Sequence, residues 1–318
     1  MSVPMITILM PAFNARKYIR AAIDSVLQQS FTAFELVIVN DGSTDDTKEI
    51  IETFTDPRIR LLNQPHGGVS GALNTGLAVA KGKYIARFDA DDICYADRLE
   101  KQFVFLEMNP AYVIVGSDAD YMMENGEYLF HFSCIGHEHD DLLDKLYFYC
   151  PFIHSSVMYL KEAVLKAGGY SPAAHNFEDY LLWTQLTQYG KLYNLPETLI
   201  RIRFNPASVT IDEKWRGQRF RELKRNAIKR GSITEKESAE IFSIIQKQNT
   251  KRIKEGAYYA LCTKKLLTDN YQPARAREYA MKAIRVNPLR PDSYALWVLS
   301  FFPKSFIQWL HQQSPNKL

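Results

Sequence analysis

Three aspartates lie within four positions of the stretch YIARFDADDIC (84–94): Asp89, Asp91 and Asp92. They follow a run typical of a buried strand, and side chains two apart on a strand point to the same face, so Asp89 and Asp91 could share one site. Clustered carboxylate oxygens suit Mg²⁺ or Mn²⁺, which commonly bridge protein carboxylates to phosphates. The alternative is a group of solvated acids, one of them capping a helix that begins near Tyr95.

Two other polar segments also follow strand-like runs directly: PAFN (11–14) and NDGSTDD (40–46). In open α/β sheets, the loops at the carboxyl ends of the strands form the ligand crevice. The three polar segments should therefore meet, although they are far apart in sequence, and their convergence predicts a nucleotide-type site. Asp41 would accept hydrogen bonds from a nucleobase there, or would simply belong to a strand-to-helix turn.

A second acidic group occurs in FEDYLLW (177–183), where Glu178 and Asp179 open an amphipathic helix. One interpretation is a general base that removes a proton from a hydroxyl group. The other is the favourable interaction of two acids with the positive end of a helix dipole, which is common. His154 is a lone histidine beside a strand-like run, and such a residue is more often structural than a ligand.

The glycines of HGGVSGALNTG (66–76) raise the question of a phosphate-binding loop. The segment fits neither GxxxxGK[ST] nor GxGxxG, so neither a P-loop nor a dinucleotide-binding fingerprint is supported. Gly68 and Gly71 are explained by close backbone approach or by a tight entry into the next helix.

The elements that must position these residues alternate between strand and helix through the first ninety residues. Apolar runs predict strands at 5–10, 35–40, 58–63 and 83–89, and apolar residues at helical spacing predict helices at 15–30, 44–54 and 69–80. This alternation, with short connections, predicts an α/β fold with a mainly parallel, Rossmann-like sheet flanked by helices.

Beyond residue 92 the pattern is mixed and then wholly helical. We predict helices at 96–108 and 178–190, and strands at 112–132 around a turn, at 154–160 and at 199–204. We place a domain boundary at 212, with a helical C-terminal region over 213–318. That region contains a basic stretch, 214–230, and a segment, 256–300, whose small and large residues resemble one tetratricopeptide helical hairpin.

Composition narrows the class of protein. The chain has 318 residues and a net charge of +3, too small to favour a polyanion, so no nucleic-acid partner is expected. Four cysteines without CxxC or zinc-finger spacing indicate buried residues in a reducing compartment. The opening segment is a poor signal peptide, and no uncharged apolar run approaches the roughly 18 residues of a membrane span. We expect a cytoplasmic location, with the inner face of the cell membrane as a further option.

Taken in order, these pieces resemble glycosyltransferase family 2. The resemblance runs through ITILMPAFNARKYIRAAIDSVLQQSFTAFELVIVNDGSTDDT (6–47) and NTGLAVAKGKYIARFDADD (74–92) to the Glu178–Asp179 pair with Trp183 downstream, and covers about the first 205 residues. It implies a GT-A fold, a nucleotide-sugar donor that is most often a UDP-sugar, Mn²⁺ or Mg²⁺, and inversion at the anomeric carbon. The expected acceptor is a glycan or a lipid-linked sugar in cell-surface polysaccharide synthesis.

The resemblance also assigns roles to individual residues. Asp179 matches the catalytic base and Glu178 its partner in orienting the acceptor, while Asp91 matches the metal ligand. The nucleotide-sugar-binding positions it implies are Pro11, Ala12, Asn14, Asp41, Asp89, Ala90, Asp91, His154 and Arg203. Among these, Asp41 corresponds to the acid that pairs with the uracil, and Asp89 to the acid nearer the ribose.

Some positions match less closely. Arg203, in an R-x-x-x-x-S arrangement with Ser208, and His154 resemble positions near the diphosphate or the acceptor. Asp92 has no assigned role, and a helix cap or a partner to the metal-binding residues is the simplest expectation. The family often has a basic residue shortly before Asn74, whereas this chain reads GGVSGALN (67–74), so a phosphate contact from that loop is in question.

Two other functions stay open from the sequence. The chain could be a non-catalytic interaction protein built on a transferase domain, although the acids at 89, 91 and 179 argue against lost catalysis. It could also be a sugar nucleotidyltransferase, but that class requires a Gly-rich, Arg-containing loop where this chain has PAFNARKY (11–18). The aromatic segment 297–313 could lie against an anionic membrane or pack within the protein.

Overall fold

A computed structural model describes residues 3–206, 217–247 and 251–313 of the chain, with side chains to residue 310. The predicted domain boundary at 212, Ser208 and the first residues of the basic stretch lie outside the described residues. The described strands are β1 Ile6–Ala12, β2 Phe34–Asp41, β3 Ile59–Gln64, β4 Tyr84–Arg87, β5 Ile93–Cys94, β6 Tyr112–Met122, β7 Tyr128–Phe132, β8 Met158–Leu160 and β9 Lys191–Arg203.

The helices alternate with the strands in the first half of the chain and follow one another in the last third. Within the described residues they are α1 Ile19–Leu27, α2 Thr47–Glu52, α3 Gly68–Val79, α4 Arg98–Met108, α5 His139–Lys145, α6 Lys161–Lys166, α7 Glu178–Leu186, α8 Gln218–Arg230, α9 Glu235–Lys247, α10 Lys251–Thr268, α11 Pro273–Val286, α12 Pro291–Leu299 and α13 Lys304–Gln313. None of them has both the length and the hydropathy needed to cross a membrane.

The nine described strands form one mixed sheet in the order β3-β2-β1-β4-β8-β6-β9-β5, and β7 pairs with β6. Its first four strands are parallel, with Ile6 of β1 in register with Phe34 of β2 and Tyr84 of β4. The strand β8 then runs antiparallel to both β4 and β6, and β5 runs antiparallel to β9. The predicted α/β class is thus confirmed, and the carboxyl ends of β1, β2 and β4 lie side by side.

Helices cover both faces of the parallel strands. Alternate residues of β2 enter opposite cores: Leu36 and Ile38 pack with the core that contains α1, whereas Val37 and Val39 pack with the core that contains α3. Every residue of β2 is buried. A strand buried on both faces reads as a continuous apolar run, which is why the sequence locates it so well.

Two of the predicted elements need correction. The strand predicted at 154–160 begins instead with a 3₁₀ turn at His154–Ser156, and only Met158–Leu160 pairs in the sheet. The strand predicted at 199–204 begins earlier, at Lys191. The longer strand contains Pro196, and a proline inside a segment normally argues against a strand.

The chain divides into two compact units. The first comprises the described parts of residues 1–120, 132–202 and 221–242, and contains the parallel strands. The second comprises those of residues 121–131, 203–220 and 243–318. Within the second unit, the buried face of α11 consists of Ala276, Ala280 and Ala283. The helical C-terminal region is confirmed, while the likeness to a tetratricopeptide hairpin stays a prediction.

Gly76 provides a test of how closely α3 packs on the sheet. A Cβ atom at Gly76 would lie 2.1 Å from Leu9 Cδ1 and 3.3 Å from Val39 Cγ2, so Gly76→Ala should destabilise the protein by about 1–3 kcal/mol. At Gly71 of the same helix, the nearest atom to such a Cβ would be Gln64 Nε2, 3.8 Å away. There the alanine should stabilise the helix by up to about 1 kcal/mol. Urea denaturation measures both, and equal effects would contradict the packing described for α3.

Candidate active site

The three aspartates after β4 form a compact cluster. One carboxylate oxygen from each of Asp89, Asp91 and Asp92 lies within 4.8 Å of the others, and Asp92 is the buried member. The Asp89 N–H donates to Ser155 Oγ at 3.0 Å, which fixes the loop against the 3₁₀ turn. The cluster that the sequence predicts is therefore present, and its donor atoms are the hard oxygens that Mg²⁺ and Mn²⁺ prefer.

A buried polar network holds the end of β4 in place. The Arg98 side chain is fully buried, and its Nη2 donates to the carbonyl oxygens of Arg87 at 2.8 Å and Val157 at 3.3 Å. Gln102 accepts from Arg98 Nε at 3.1 Å and donates to Ser156 O at 2.7 Å. These two side chains of α4 supply donors to the carbonyls of Arg87 and Ser156, and add a second donor to the Val157 carbonyl, which already accepts from Arg87 N–H.

The start of α4 also corrects one expectation. The helix begins at Arg98 with Asp97 at its N-cap position, and the short strand β5 lies between the aspartate cluster and the helix. Asp92 is therefore too far from α4 to cap it.

A buried arginine lies beside the cluster. Arg87 is 3% exposed, and its Nη1 forms an ion pair with Asp89. Burial alone would lower the pKa of Arg87, but the charge of Asp89 and the hydrogen bond to it outweigh burial, so the net shift of the pKa is upward. Arg87 is charged, and the sequence signal for it was an arginine inside an otherwise apolar strand.

The second acidic group lies in the first turn of α7. The Tyr180 N–H donates to Asp179 Oδ1 at 2.7 Å, so backbone and helix dipole both favour negative charge on Asp179. Burial, and after it the charge of Asp179, raise the pKa of Glu178 to about 7. The two carboxyl groups interact, so they titrate as a pair in which Glu178 holds a proton more readily than an isolated glutamate does.

His154 lies beside the acids of α7. Its Nε2 lies 3.1 Å from Tyr170 Oη, and its Nδ1 lies 3.9 Å from Asp179 Oδ2. Burial, followed by the charge of Arg87, lowers the pKa of His154 well below its usual range. His154 is therefore neutral near pH 7, and its approach to Asp179 is not an ion pair. The Trp183 ring packs against it at 5.7 Å.

Asp41 lies at the end of β2 with its carboxylate already engaged. Oδ1 accepts from Gly67 N at 2.8 Å and Gln64 Nε2 at 2.6 Å, and Oδ2 accepts from Gly68 N at 2.9 Å and lies 2.9 Å from His66 Nδ1. A carboxylate offers about four lone-pair sites, and these four contacts use them. Asp41 therefore organises the segment 64–68, and a nucleobase contact with its carboxylate, which stays a prediction, requires one of these contacts to give way.

The loop after β1 is tied to the loop after β2. Pro11 and Ala12 end β1, and Asn14 has a left-handed backbone with φ of 51°. The Asn14 Oδ1 atom accepts from Thr44 N at 2.8 Å, and the Asn14 N–H donates to Ser43 Oγ at 3.0 Å. The sequence prediction that these two polar segments meet is correct.

Two pairs of contacting residues were not predicted from the sequence. Phe13 is 46% exposed and stacks on His66 with ring centroids 4.2 Å apart, beside the engaged Asp41. Asn74 binds both the N–H of Tyr170, at 2.9 Å, and its C=O, at 2.7 Å. Only the fold reveals these pairs, because each joins residues that are distant in sequence.

Arg203 belongs to the second compact unit. Its Nη1 donates to Glu124 O at 2.7 Å and Met123 O at 3.4 Å, in the turn between β6 and β7. Its predicted position near a diphosphate or acceptor stays a prediction.

Comparison with known proteins identifies relatives of this chain. A family model described as "Glycosyl transferase family 2" matches residues 7–166. The chain is 30% identical over 219 residues to an uncharacterized glycosyltransferase of Haemophilus influenzae, a match that covers 64% of the chain and 66% of the relative, slightly less than two thirds of its length.

Two relatives in Escherichia coli have more specific names. The chain is 31% identical over 210 residues to the O-antigen biosynthesis glycosyltransferase WbnJ, covering 64% of the chain and 81% of WbnJ. It is 29% identical over 245 residues to the UDP-Glc:alpha-D-GlcNAc-diphosphoundecaprenol beta-1,3-glucosyltransferase WfgD, covering 76% of the chain and 91% of WfgD.

Solved structures share the fold over nearly the whole chain. The crystal structure of Staphylococcus aureus TarS residues 1–349 in complex with UDP-GlcNAc has a TM-score of 0.56 at 15% identity, covering 97% of this chain and 91% of that one. The mannosyltransferase PcManGT from Pyrobaculum calidifontis, in complex with GDP-Man and Mn²⁺, has a TM-score of 0.55 at 16% identity, covering 97% and 86%. At these identities the likeness establishes the GT-A fold alone.

The raised pKa of Glu178 predicts a pH-dependent stability. A pKa of about 7 in the folded chain against 4.5 for an ordinary glutamate means that the folded chain binds the proton more tightly, so stability falls as pH rises through this window. The loss is up to about 3 kcal/mol, and Glu178→Gln, which cannot ionise, should remove it.

The measurement is the free energy of unfolding of wild type and variant at about pH 5 and about pH 8. Glu162→Gln, at the first turn of α6, is the matched control, because Lys166 lowers the pKa of Glu162 instead of raising it. If wild type and Glu178→Gln show parallel pH profiles, the raised pKa is wrong.

Proposed function

The chain belongs to glycosyltransferase family 2, and we propose that it transfers a sugar from a UDP-sugar to a hydroxyl group of a glycan or lipid-linked acceptor, with inversion at the anomeric carbon. The observation that carries the proposal is the cluster of Asp89, Asp91 and Asp92, whose ligand oxygens lie within 4.8 Å of one another at the carboxyl end of β4. That edge of a parallel sheet is where α/β folds bind nucleotides.

The names of similar proteins support this choice of donor and acceptor. WfgD is named for transfer of glucose from UDP-Glc to a sugar carried on diphosphoundecaprenol, WbnJ for O-antigen biosynthesis, and the TarS structure contains UDP-GlcNAc. We therefore propose a hexose or an N-acetylhexosamine as the transferred sugar, and cell-surface polysaccharide synthesis as the setting.

The acidic cluster fits a divalent cation by the chemistry of its donors. Asp91 is the proposed metal ligand, with Asp89 beside the ribose and the buried Asp92 supporting the loop. PcManGT, which shares the fold, was solved with Mn²⁺, and Mn²⁺ or Mg²⁺ is the proposed cofactor here. When bound, the ion would act as a Lewis acid toward the negative charge that develops on the departing diphosphate.

The acids of α7 supply the proton transfer in this proposal. Asp179 accepts the proton of the acceptor hydroxyl as that oxygen bonds to the anomeric carbon and the bond from this carbon to the diphosphate oxygen breaks. Glu178, with its pKa raised to about 7, is protonated in a substantial fraction of molecules at neutral pH and then donates a hydrogen bond that orients the acceptor. Neutral His154 places no positive charge beside Asp179 that would reduce its basicity.

Substitution of the two acids separates the proposed roles. Asp179→Asn should lower turnover by about 10²–10⁴-fold, the usual contribution of a general base, and leave UDP binding unchanged. Asp91→Asn should instead abolish the Mn²⁺ dependence of UDP binding. UDP release from UDP-Glc and UDP-GlcNAc, with a panel of glycan acceptors, measures turnover, and calorimetry with and without Mn²⁺ measures binding.

Two outcomes would contradict these assignments. Full turnover in Asp179→Asn removes it as the base, and unchanged metal dependence in Asp91→Asn removes it as the ligand. Asp140→Asn, an exposed acid at the start of α5, serves as the matched control for loss of one negative charge.

We also propose that the aromatic segment 301–309, which runs from the turn after α12 into α13, contacts a membrane surface, where a lipid-linked acceptor would lie. Phe301 is 60% exposed and Trp309 is 55% exposed, and Phe306 lies between the rings of Phe302 and Trp309 at centroid distances of 4.7 and 5.9 Å. Aromatic side chains of this kind favour the boundary between lipid headgroups and acyl chains. Because Ile307 is buried, α13 is anchored while its aromatic face stays accessible.

Co-sedimentation with vesicles of equal parts phosphatidylcholine and phosphatidylglycerol tests this contact. The double variant Phe301→Ser/Trp309→Ser should lose most of the bound fraction. Leu289→Ser is the matched control, because Leu289 is 91% exposed but lies outside the aromatic cluster. Equal sedimentation of wild type and double variant would show that the aromatic face does not bind lipid.

A further inference from the structure

Arg87 is a buried charged residue to which the proposed function assigns no role. It ends β4, immediately before the loop that carries the acidic cluster, and its side chain is 3% exposed. Its Nη1 forms an ion pair with Asp89. Its Nε is buried and has no hydrogen-bond partner among the residues that the structure describes. A buried guanidinium with an unused donor is costly, so a structural role alone explains it poorly.

The charge of Arg87 reaches both acidic groups of the site. On one side it is paired with Asp89 and interacts with Asp92. On the other side it acts on Glu178 and on His154. Electrostatic interactions at buried positions are screened little by solvent, so one fixed charge there influences several neighbours at once. A permanent cation therefore pairs with one acidic group and lies within electrostatic range of the other.

We propose that Arg87 is a positioning residue for the transfer reaction: its buried guanidinium holds the Asp89 carboxylate in the orientation that receives the donor, and offsets the negative charge of the site before the donor arrives. This inference rests on the proposed function, because the donor is taken to be a nucleotide sugar bound at Asp89 and Asp91.

The proposal predicts that loss of the Arg87 charge affects nucleotide binding and Mn²⁺ binding differently. A nucleotide diphosphate is an anion, so loss of the Arg87 charge, together with loss of the Asp89 orientation, weakens its binding. A free divalent cation is repelled by Arg87, so loss of the same charge leaves Mn²⁺ binding as tight as before or tighter. A residue that merely stabilises the fold would weaken both together when it is removed.

The experiment compares wild type, Arg87→Met and Arg87→Lys. Met removes the charge at similar side-chain length, and Lys keeps it. We expect Arg87→Met to bind UDP in the presence of saturating Mn²⁺ about tenfold more weakly, the usual effect of losing a charge-assisted hydrogen bond. Binding of Mn²⁺ alone, followed by electron paramagnetic resonance, should be no weaker. Arg87→Lys should bring UDP affinity to within about threefold of wild type.

Arg60→Met is the control for net charge, because Arg60 is exposed on β3 and its substitution removes one positive charge from the same unit. It should leave both affinities unchanged.

The proposal is overturned if Arg87→Met binds UDP like wild type, or if its affinities for UDP and Mn²⁺ fall together with its thermal midpoint. If Arg87→Met does not fold, Arg87→Lys decides: near wild-type UDP affinity supports the proposal, and a tenfold loss at an unchanged midpoint overturns it.

The same data separate this proposal from the proposed function. If wild type binds no UDP with Mn²⁺ present, the proposed donor is wrong. The comparison of Mn²⁺ binding between wild type and Arg87→Met still tests whether Arg87 offsets the charge of the acidic cluster, because that measurement contains no nucleotide.

Discussion

The site depends on charge buried at the end of β4. Asp89 can lie close to Asp91 and Asp92 because the guanidinium of Arg87 is paired with it and reaches Asp92 as well. Without a cation, carboxylates this close repel one another and raise each other's pKa. The fully buried Arg98 side chain donates to the carbonyls of Arg87 and Val157, and so links the end of β4 to the residue that precedes β8.

The loop beside β2 shows a different solution to the same problem of a buried acid. The carboxylate of Asp41 accepts hydrogen bonds from the backbone N–H groups of Gly67 and Gly68, so peptide dipoles stabilise its charge. This fixes the entry into α3 and places His66 against Phe13. In the proposed function, the loop that would face the nucleotide is thus assembled in advance, whereas the acidic cluster carries excess negative charge that a divalent ion would balance.

The sequence predicts the parallel half of this protein well and its site only in outline. Strands such as β2, buried on both faces, and helices such as α1 leave clear periodic patterns, so their order and the meeting of their polar ends follow directly. The 3₁₀ turn at His154, the long β9 with Pro196 inside it and the short helices α5 and α6 do not, because tertiary contacts and not local periodicity determine them. The partners of Asp41 and Arg87 were hidden for the same reason.

The two acids of α7 illustrate why position in a fold decides chemistry. Glu178 and Asp179 are neighbours with similar intrinsic acidity, and the sequence cannot separate their roles. In the fold, burial and the charge of Asp179 raise the pKa of Glu178 to about 7, while Asp179 accepts a backbone N–H in the first turn of the helix. When the environments of two carboxyl groups separate their pKa values, the group with the higher pKa is suited to hold a proton and the other to accept one. This difference supports the proposal that Asp179 is the base, and the raised pKa of Glu178 reduces the fraction of molecules in which the pair carries two adjacent negative charges.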